Sequence, residues 1–199
     1  GATLDRLAAG ARIGTSSLRR QAQLLNVRPD LSILMLRGNL DTRLRKLEAG
    51  EYDGIILAAA GLRRLGWADR VTEYLSPDVC LPAIGQGALA LEGRADDAFV
   101  RDLTGRMEHR PTRLAVTAER ALLERLEGGC QVPIAAYATI DHDVLAMSAL
   151  VAGVNGRRLI RDSIHGSVDE AHRLGVHLAE RLLERGGGEI LRDIYGTAP

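Results

Sequence analysis

Residues 11–36, ARIGTSSLRRQAQLLNVRPDLSILML, decide how the fold is read. ARIG (11–14) is a short segment of buried-strand type. TSSLRRQAQLLNV (15–27) reads as a helix: Thr15, Ser16 and Ser17 can each accept from the free N–H groups of a first turn, and Leu18, Leu24 and Leu25 supply an apolar face. RPD (28–30) is a turn, and LSILML (31–36) is an unbroken apolar run of strand length. Apolar strands without polar alternation, joined through a helix, predict parallel strands covered on both faces.

The pattern continues toward the carboxyl end. RGNLDTRLRKLEAG (37–50) predicts a second helix, with Asn39 or Asp41 near its cap and Gly50 at its end. YDGIILAAAG (52–61) predicts a third buried strand, and LRRLGWADRV (62–71) at least one further helical turn. In open parallel sheets, ligands sit beyond the carboxyl ends of the strands. Those ends read GTSSLRR, RGNLDTR and AGLRR, which bring Arg19 and Arg20, Arg37 and Arg43, and Arg63 and Arg64. Helix N-termini add free N–H donors and the positive end of a dipole. The expectation is one crevice for an anion carrying several carboxylates or phosphates; the alternative for each arginine is a solvated surface charge.

LSPDVCLPAIGQGALALEGRADD (75–97) breaks the alternation with Pro77, Pro82, Gly85 and Gly87 and reads as a hinge. Its GQGALALEG lacks the glycine spacing of a dinucleotide loop, and Cys80, between Val79 and Leu81, reads as a packing residue. RPTRLAVTAERALLERLEGG (110–129) is an amphipathic helix with Pro111 in its first turn. Three strands come next, QVPIAAYATID, VLAMSALVAG and RRLIRDSIHG, separated by DHD and by VNG, where Asn155-Gly156 is a hairpin signal. SVDEAHRLGVHLAERLLERGG closes this antiparallel sheet with a helix, Ser167 and Glu170 having capping-box spacing, and GEILRDIY forms a last short helix. The expected organisation is an α/β anion-binding domain (1–82), a hinge and crossover segment (83–109) and a C-terminal α+β domain (110–199).

Cys130 lies in LEGGCQVPI (126–134), on the loop between the first helix and first strand of that last domain. Gly128 and Gly129 offer it little cover and Pro133 stiffens the start of the strand, so the thiol reads as presented rather than packed. His109, His142, His165, His172 and His177 form no Cys-His motif and read as surface residues, and neither cysteine has a partner at zinc-type spacing, so no metal is expected. A covalent attachment point and a redox-sensitive or inert thiol both fit the residues.

Zero formal charge argues against a general nucleic-acid binder. The absence of an apolar run of about 18 residues argues against a membrane span, and the first ten residues lack the features of a signal peptide. Two widely separated cysteines suit a reduced, cytoplasmic protein. Only Lys46 among the 26 basic residues is a lysine; the arginines either reflect genomic composition or bind carboxylates as planar forks. A chain that opens at Gly1 is expected to be a processed chain, a tagged chain or a fragment.

Seven segments, GTSSLRRQ, RPDL, LRGN with TRL after it, EYDGIILAAAGLRRLG, LPAIGQGA, TAERA and LEGGCQVPIA, together resemble the porphobilinogen deaminase (hydroxymethylbilane synthase) family. They keep the family's order from about Ala11 to Ile194. The resemblance implies a periplasmic-binding-protein-like parallel-sheet domain and then a small α+β domain with a three-stranded antiparallel sheet. It implies a transferase that joins four porphobilinogen molecules into hydroxymethylbilane with loss of ammonia, working on porphobilinogen and oligopyrrole intermediates as a monomer when complete. It implies a dipyrromethane cofactor on a thioether to Cys130, with Ser17, Arg19, Arg20 and Arg43 binding the cofactor. Arg37, Arg64, Thr15 and Ser16 would bind substrate. The family's catalytic aspartate belongs to a domain that precedes this region, so no catalytic residue is assigned here and the chain alone is expected to be inactive. The crossover segment should then expose apolar side chains such as Leu89 and Leu91. Where many members have glycine after RGNV, this chain has Asp41, which either changes the charge of a site loop or caps a helix. Two other classes stay open on the residues: a non-catalytic receptor or sensor of a polycarboxylate, which leaves LEGGCQVPI without a purpose, and a redox switch through Cys80 and Cys130.

Overall fold

A computed structural model describes residues 1–127 and 132–196. Three short parallel strands, β1 (Arg12–Gly14), β2 (Ser32–Leu34) and β3 (Gly54–Ile55), form a sheet in the order β2-β1-β3. The register pairs Ile13 with Ile33 on one side and with Gly54 on the other. Helix α1 (Leu18–Val27) joins β1 to β2 and α2 (Leu40–Glu48) joins β2 to β3, the expected parallel α/β arrangement. The caps are the local reason these helices start where they do. Ser17 accepts from the N–H of Arg20 at 3.4 Å, and Asn39, not Asp41, accepts from the N–H of Thr42 at 2.9 Å.

Two strand expectations need correction. LSILML is strand only over 32–34; β2 lies at an edge of the sheet, and Met35 beyond it is 65% exposed. YDGIILAAAG is strand only at Gly54–Ile55, and helix α3 (Ala59–Arg64) begins inside the segment read as strand. Ala59 and Ala60 are strong helix formers, and a Cβ on Gly61 would fall 2.9 Å from the side chain of Leu40, so α3 sits closely on the start of α2. Arg63 and Arg64 therefore occupy the last turn of a helix, not the end of a strand.

After α3 the chain runs without strand to α4 (Ala98–Gly105), and Leu89, Leu91 and Phe99 are exposed. Helix α5 (Arg110–Arg125) carries Pro111 in its first turn, as expected. Strands β4 (Ile134–Asp141), β5 (Val144–Ala152) and β6 (Leu159–Ser167) form the antiparallel meander β4-β5-β6. Helices α6 (Ala171–Leu182) and α7 (Gly188–Tyr195) complete the module. Ser167 accepts from Asp169 rather than from Glu170, and residues 168–170 form a 3₁₀ turn, so the expected capping box gives way to a tighter entry into α6.

The main core lies under this second sheet, where Ile134, Ala136, Met147, Ala149 and Val151 meet Leu122, Leu178 and Leu182. The other sheet face meets the first lobe. Ala22 of α1 and Leu81 pack with Ala135, Leu150 and Ala152. The loop from β5 to β6 docks on the same helix: Asn26 donates to the carbonyl of Gly156 at 2.9 Å and Gln21 to that of Val154 at 3.3 Å. Gly156 has φ +71°, and a Cβ there would lie 2.6 Å from the Ala22 carbonyl oxygen. Asn155-Gly156 thus makes a turn within a six-residue connection that also serves as a docking point.

Candidate anion-binding crevice

Helix α1 brings the key side chains together because β1 ends at Gly14 and the next three residues turn the chain into the helix. Thr15 is buried, and its hydroxyl oxygen accepts from the N–H of Ser17 at 3.2 Å. Ser16 is exposed. Ser17 keeps its hydroxyl hydrogen available while its oxygen caps the helix.

Arg19 is 7% exposed although the sequence places it among strand-end cations open to a ligand. Its guanidinium donates to the Leu81 carbonyl, to Gln86 Oε1 at 3.4 Å and to Cys80 Sγ at 3.9 Å. Arg20, half-buried, donates to the Ile56 carbonyl at 2.8 Å, at the carboxyl end of β3. Arg43 is braced by its own loop, donating from Nε to the Gly38 carbonyl at 2.8 Å. Burial lowers the pKa of Arg19. Arg20 is lowered by burial first, then by the charge of Arg19, with Arg43 adding to the effect and Cys80 opposing it. Among the described residues, none of these three guanidinium groups has a carboxylate in ion-pair contact. Like charges held together at a partly dehydrated wall are unfavourable by themselves, and an anionic ligand removes that cost.

Arg19 and Arg20 lie on the wall of a cavity of about 630 Å³ that runs along β3, with Ile13, Ile56, Cys80 and Gln86 also in the wall. The wall is mostly apolar, with the guanidinium groups of Arg19 and Arg20 and the carboxylates of Asp53 and Glu73 among its polar side chains. Cys80, read from the sequence mainly as a packing residue, lines this cavity; burial pushes its thiol pKa up, and Arg19 and Arg20 act against that.

The remaining expected residues divide. Arg37 is exposed on the loop after β2. Arg64 is exposed in the last turn of α3 and is not part of the cavity wall, while Arg63 stacks 5.0 Å over the ring of Tyr74. The third loop contributes the Ile56 carbonyl that anchors Arg20 instead of an arginine. Asp41 pairs with Arg45 at 2.6 Å, one turn along the exposed face of α2. Among the described residues there is no cluster of three or more candidate metal ligands, and no helix is long and apolar enough to cross a membrane.

Cys130 lies outside the described residues. The stems on either side of its loop are well held. Glu127 has φ +52°, and its carbonyl accepts from the Tyr195 hydroxyl at 2.7 Å; Leu126, Val132 and Pro133 are buried. Two buried polar residues escape the sequence reading. Gln23 is 2% exposed on the buried face of α1, and Glu119, 5% exposed in α5, accepts from the N–H of Gly85 at 2.6 Å and of Ala138 at 2.8 Å. Each occurs at the spacing of its helix's small or apolar buried positions, the signal by which it can be found.

A parallel α/β lobe with guanidinium groups along one cavity wall is joined to an antiparallel α+β module, which makes this a two-module α/β protein. Residues 1–102 match the dipyrromethane cofactor binding domain of porphobilinogen deaminase, and residues 113–184 match the C-terminal domain of the same family. The chain belongs to the porphobilinogen deaminase family. It is 55% identical over 195 residues to the porphobilinogen deaminase of Geobacter sulfurreducens, covering 98% of this chain and 61% of that protein. Against the enzyme of Trichlorobacter lovleyi it is 54% identical over 193 residues, covering 97% and 62%; against that of Carboxydothermus hydrogenoformans it is 52% identical over 189 residues, covering 95% and 61%. The chain thus spans about three fifths of the length of these relatives.

Proposed function

We propose that this chain is the cofactor-holding and C-terminal part of a hydroxymethylbilane synthase, which condenses four porphobilinogen molecules head to tail. Each condensation forms one carbon–carbon bond between pyrrole units and releases one ammonia. The observation that carries the reading is the set of Arg19, Arg20 and Arg43, brought together with no carboxylate in ion-pair contact among the described residues, Arg19 and Arg20 lying in the wall of the cavity. The cavity volume and its mixed wall fit a dipyrromethane bearing acetate and propionate arms. When attached through a thioether to Cys130, that group supplies the free pyrrole end from which the product grows.

The chain's own residues bind and orient. Arg19, Arg20 and Arg43 neutralise cofactor carboxylates, with Ser17 and the first turn of α1 donating alongside them. Arg37 and Arg64, both exposed and outside the cavity wall, are assigned with Thr15 and Ser16 to incoming substrate. In this reading, residues 1–82 form the anion-binding domain, 83–109 the crossover and 110–199 the attachment domain. The working protein is a cytoplasmic monomer.

The test is an intact-mass measurement on protein purified from cells that make porphobilinogen. An adduct of two pyrrole units that disappears in Cys130→Ser is expected, with a matching colour reaction to an Ehrlich-type reagent. Unmodified protein refutes the reading and leaves a polycarboxylate receptor in its place. The family's catalytic aspartate is assigned outside these residues, so the 199-residue chain by itself is expected to make no tetrapyrrole; turnover by the purified chain refutes that part.

A further inference from the structure

Arg19 works as a ligand-binding cation only if its guanidinium is held, because a free arginine side chain loses rotamer entropy on being ordered. Its main acceptor is a single backbone carbonyl, that of Leu81. Leu81 belongs to an irregular stretch that no strand or helix fixes. Something else must place that carbonyl.

Gln23 does so. Its Oε1 accepts from the Leu81 N–H at 2.7 Å and its Nε2 donates to the Leu81 carbonyl at 3.1 Å. The amide thus pairs with one peptide residue from both sides, as a neighbouring strand would. The second hydrogen on Nε2 goes to the Arg19 carbonyl at 3.2 Å, one helical turn back, so the same amide is tied to the backbone of the residue it serves. Only a carboxamide of this length offers an acceptor and two donors in this geometry. Gln23 and the Leu81 side chain are both almost fully buried, and Pro82 restrains Leu81 to extended backbone. Gln86 completes the cage, its Oε1 accepting from Arg19 at 3.4 Å and from the Ala83 N–H at 3.0 Å.

We infer that Gln23 is a positioning residue for the anion crevice: by clamping both polar groups of Leu81 it fixes the carbonyl that aims Arg19 at the cavity. The inference rests on the reading that Arg19 meets a carboxylate of the bound pyrrole; in a Cys130→Ser chain, which can tether no cofactor, free porphobilinogen is the probe of that carboxylate site.

Two measurements on the 199-residue chain separate the clamp from that reading. In a Cys130→Ser background Cys80 is the chain's one remaining thiol, and it lies 3.9 Å from Arg19 Nη1, so its titration reports where the guanidinium is. Gln23→Met keeps the length and removes every hydrogen bond; Cys80 is expected to titrate at higher pH than in the parent. Porphobilinogen is expected to bind the same variant about tenfold more weakly. Gln23→Glu supplies the second variant. Its ionised carboxylate repels the Leu81 carbonyl, while its protonated form restores one donor and one acceptor. The ratio of its porphobilinogen Kd to the parent's is therefore expected to fall toward one as the pH drops from about 8 to about 5. An unmoved Cys80 titration in Gln23→Met overturns the clamp, whether or not porphobilinogen binds. A moved titration with unchanged porphobilinogen affinity in both variants overturns the link to the ligand. A parent chain that fails to bind porphobilinogen, with Cys80 moved in the variant, upholds the clamp and refutes the ligand reading.

Discussion

Replacing Gly175 by alanine tests the packing that supports the C-terminal α+β module. Gly175 is buried in α6 where that helix crosses α5. A Cβ built there lies 2.1 Å from the carbonyl oxygen of Ala118 and 3.0 Å from the Cβ of Ala121. An ordinary carbon–oxygen contact is about 3.3 Å, so the helices must part locally by roughly 1 Å. Two effects compete. Alanine is favoured over glycine inside a helix by about 1 kcal/mol. Overpacking costs about 1–3 kcal/mol, and the upper end applies because the atom met is backbone, which has no rotamer to escape into. The clash wins, and a net loss of about 2 kcal/mol is expected, a fall in Tm of roughly 4–8 °C for a chain of this size. Urea and thermal unfolding monitored by circular dichroism measure it. Gly105→Ala is the control: it stands in α4 with nothing within 4 Å of an added Cβ, so it should leave stability equal or slightly higher. Gly175→Ala as stable as the parent would show that the two helices are not in backbone contact.

Two titrations give further checks. The guanidinium of Arg12 holds the Asp53 carboxyl down to about 2, so its stabilising contribution is present above the ordinary carboxylate pKa and is lost as pH falls through about 2. Carboxyl chemical shifts measured by NMR across that range check this, and an Asp53 that titrates near its ordinary value contradicts the pairing. Burial instead raises Glu119, against the pull of two backbone N–H groups. Its contribution is therefore complete below the ordinary glutamate pKa and declines as pH rises through the folded value. Glu119→Gln removes that decline from the pH–stability curve and costs about 1–3 kcal/mol, because an amide offers one acceptor to the two facing donors Gly85 and Ala138. An unchanged curve would mean that Glu119 is not buried as described.

The parallel α/β character of the first lobe was legible because its signals are local. Ser17 and Asn39 are capping residues, the runs at 11–14 and 31–36 have strand length, and Gly50 ends a helix. The meander was legible for the same reason, through the turn signals DHD and Asn155-Gly156 between its strands. The short third strand was not. Whether Ile56, Leu57 and the alanines after them continue a strand or open a helix depends on what packs beside them, and Leu40 of another helix decides it.

The crevice divides in the same way. Sequence alone identified Arg19, Arg20 and Arg43 as cations at strand ends, since the order of strand and helix places them there without reference to distant contacts. It could not show that Arg19 is buried, that Arg64 is exposed in a helical turn or that Cys80 lines the cavity. Nor could it show that Gln23 and Glu119 are satisfied polar groups inside the protein. A buried polar side chain is stable only when its partners arrive, and here the partners lie 58 residues away for Gln23 and 34 and 19 away for Glu119. Periodicity and capping act over one or two turns of chain, whereas those partners are brought into reach only when the tertiary structure closes.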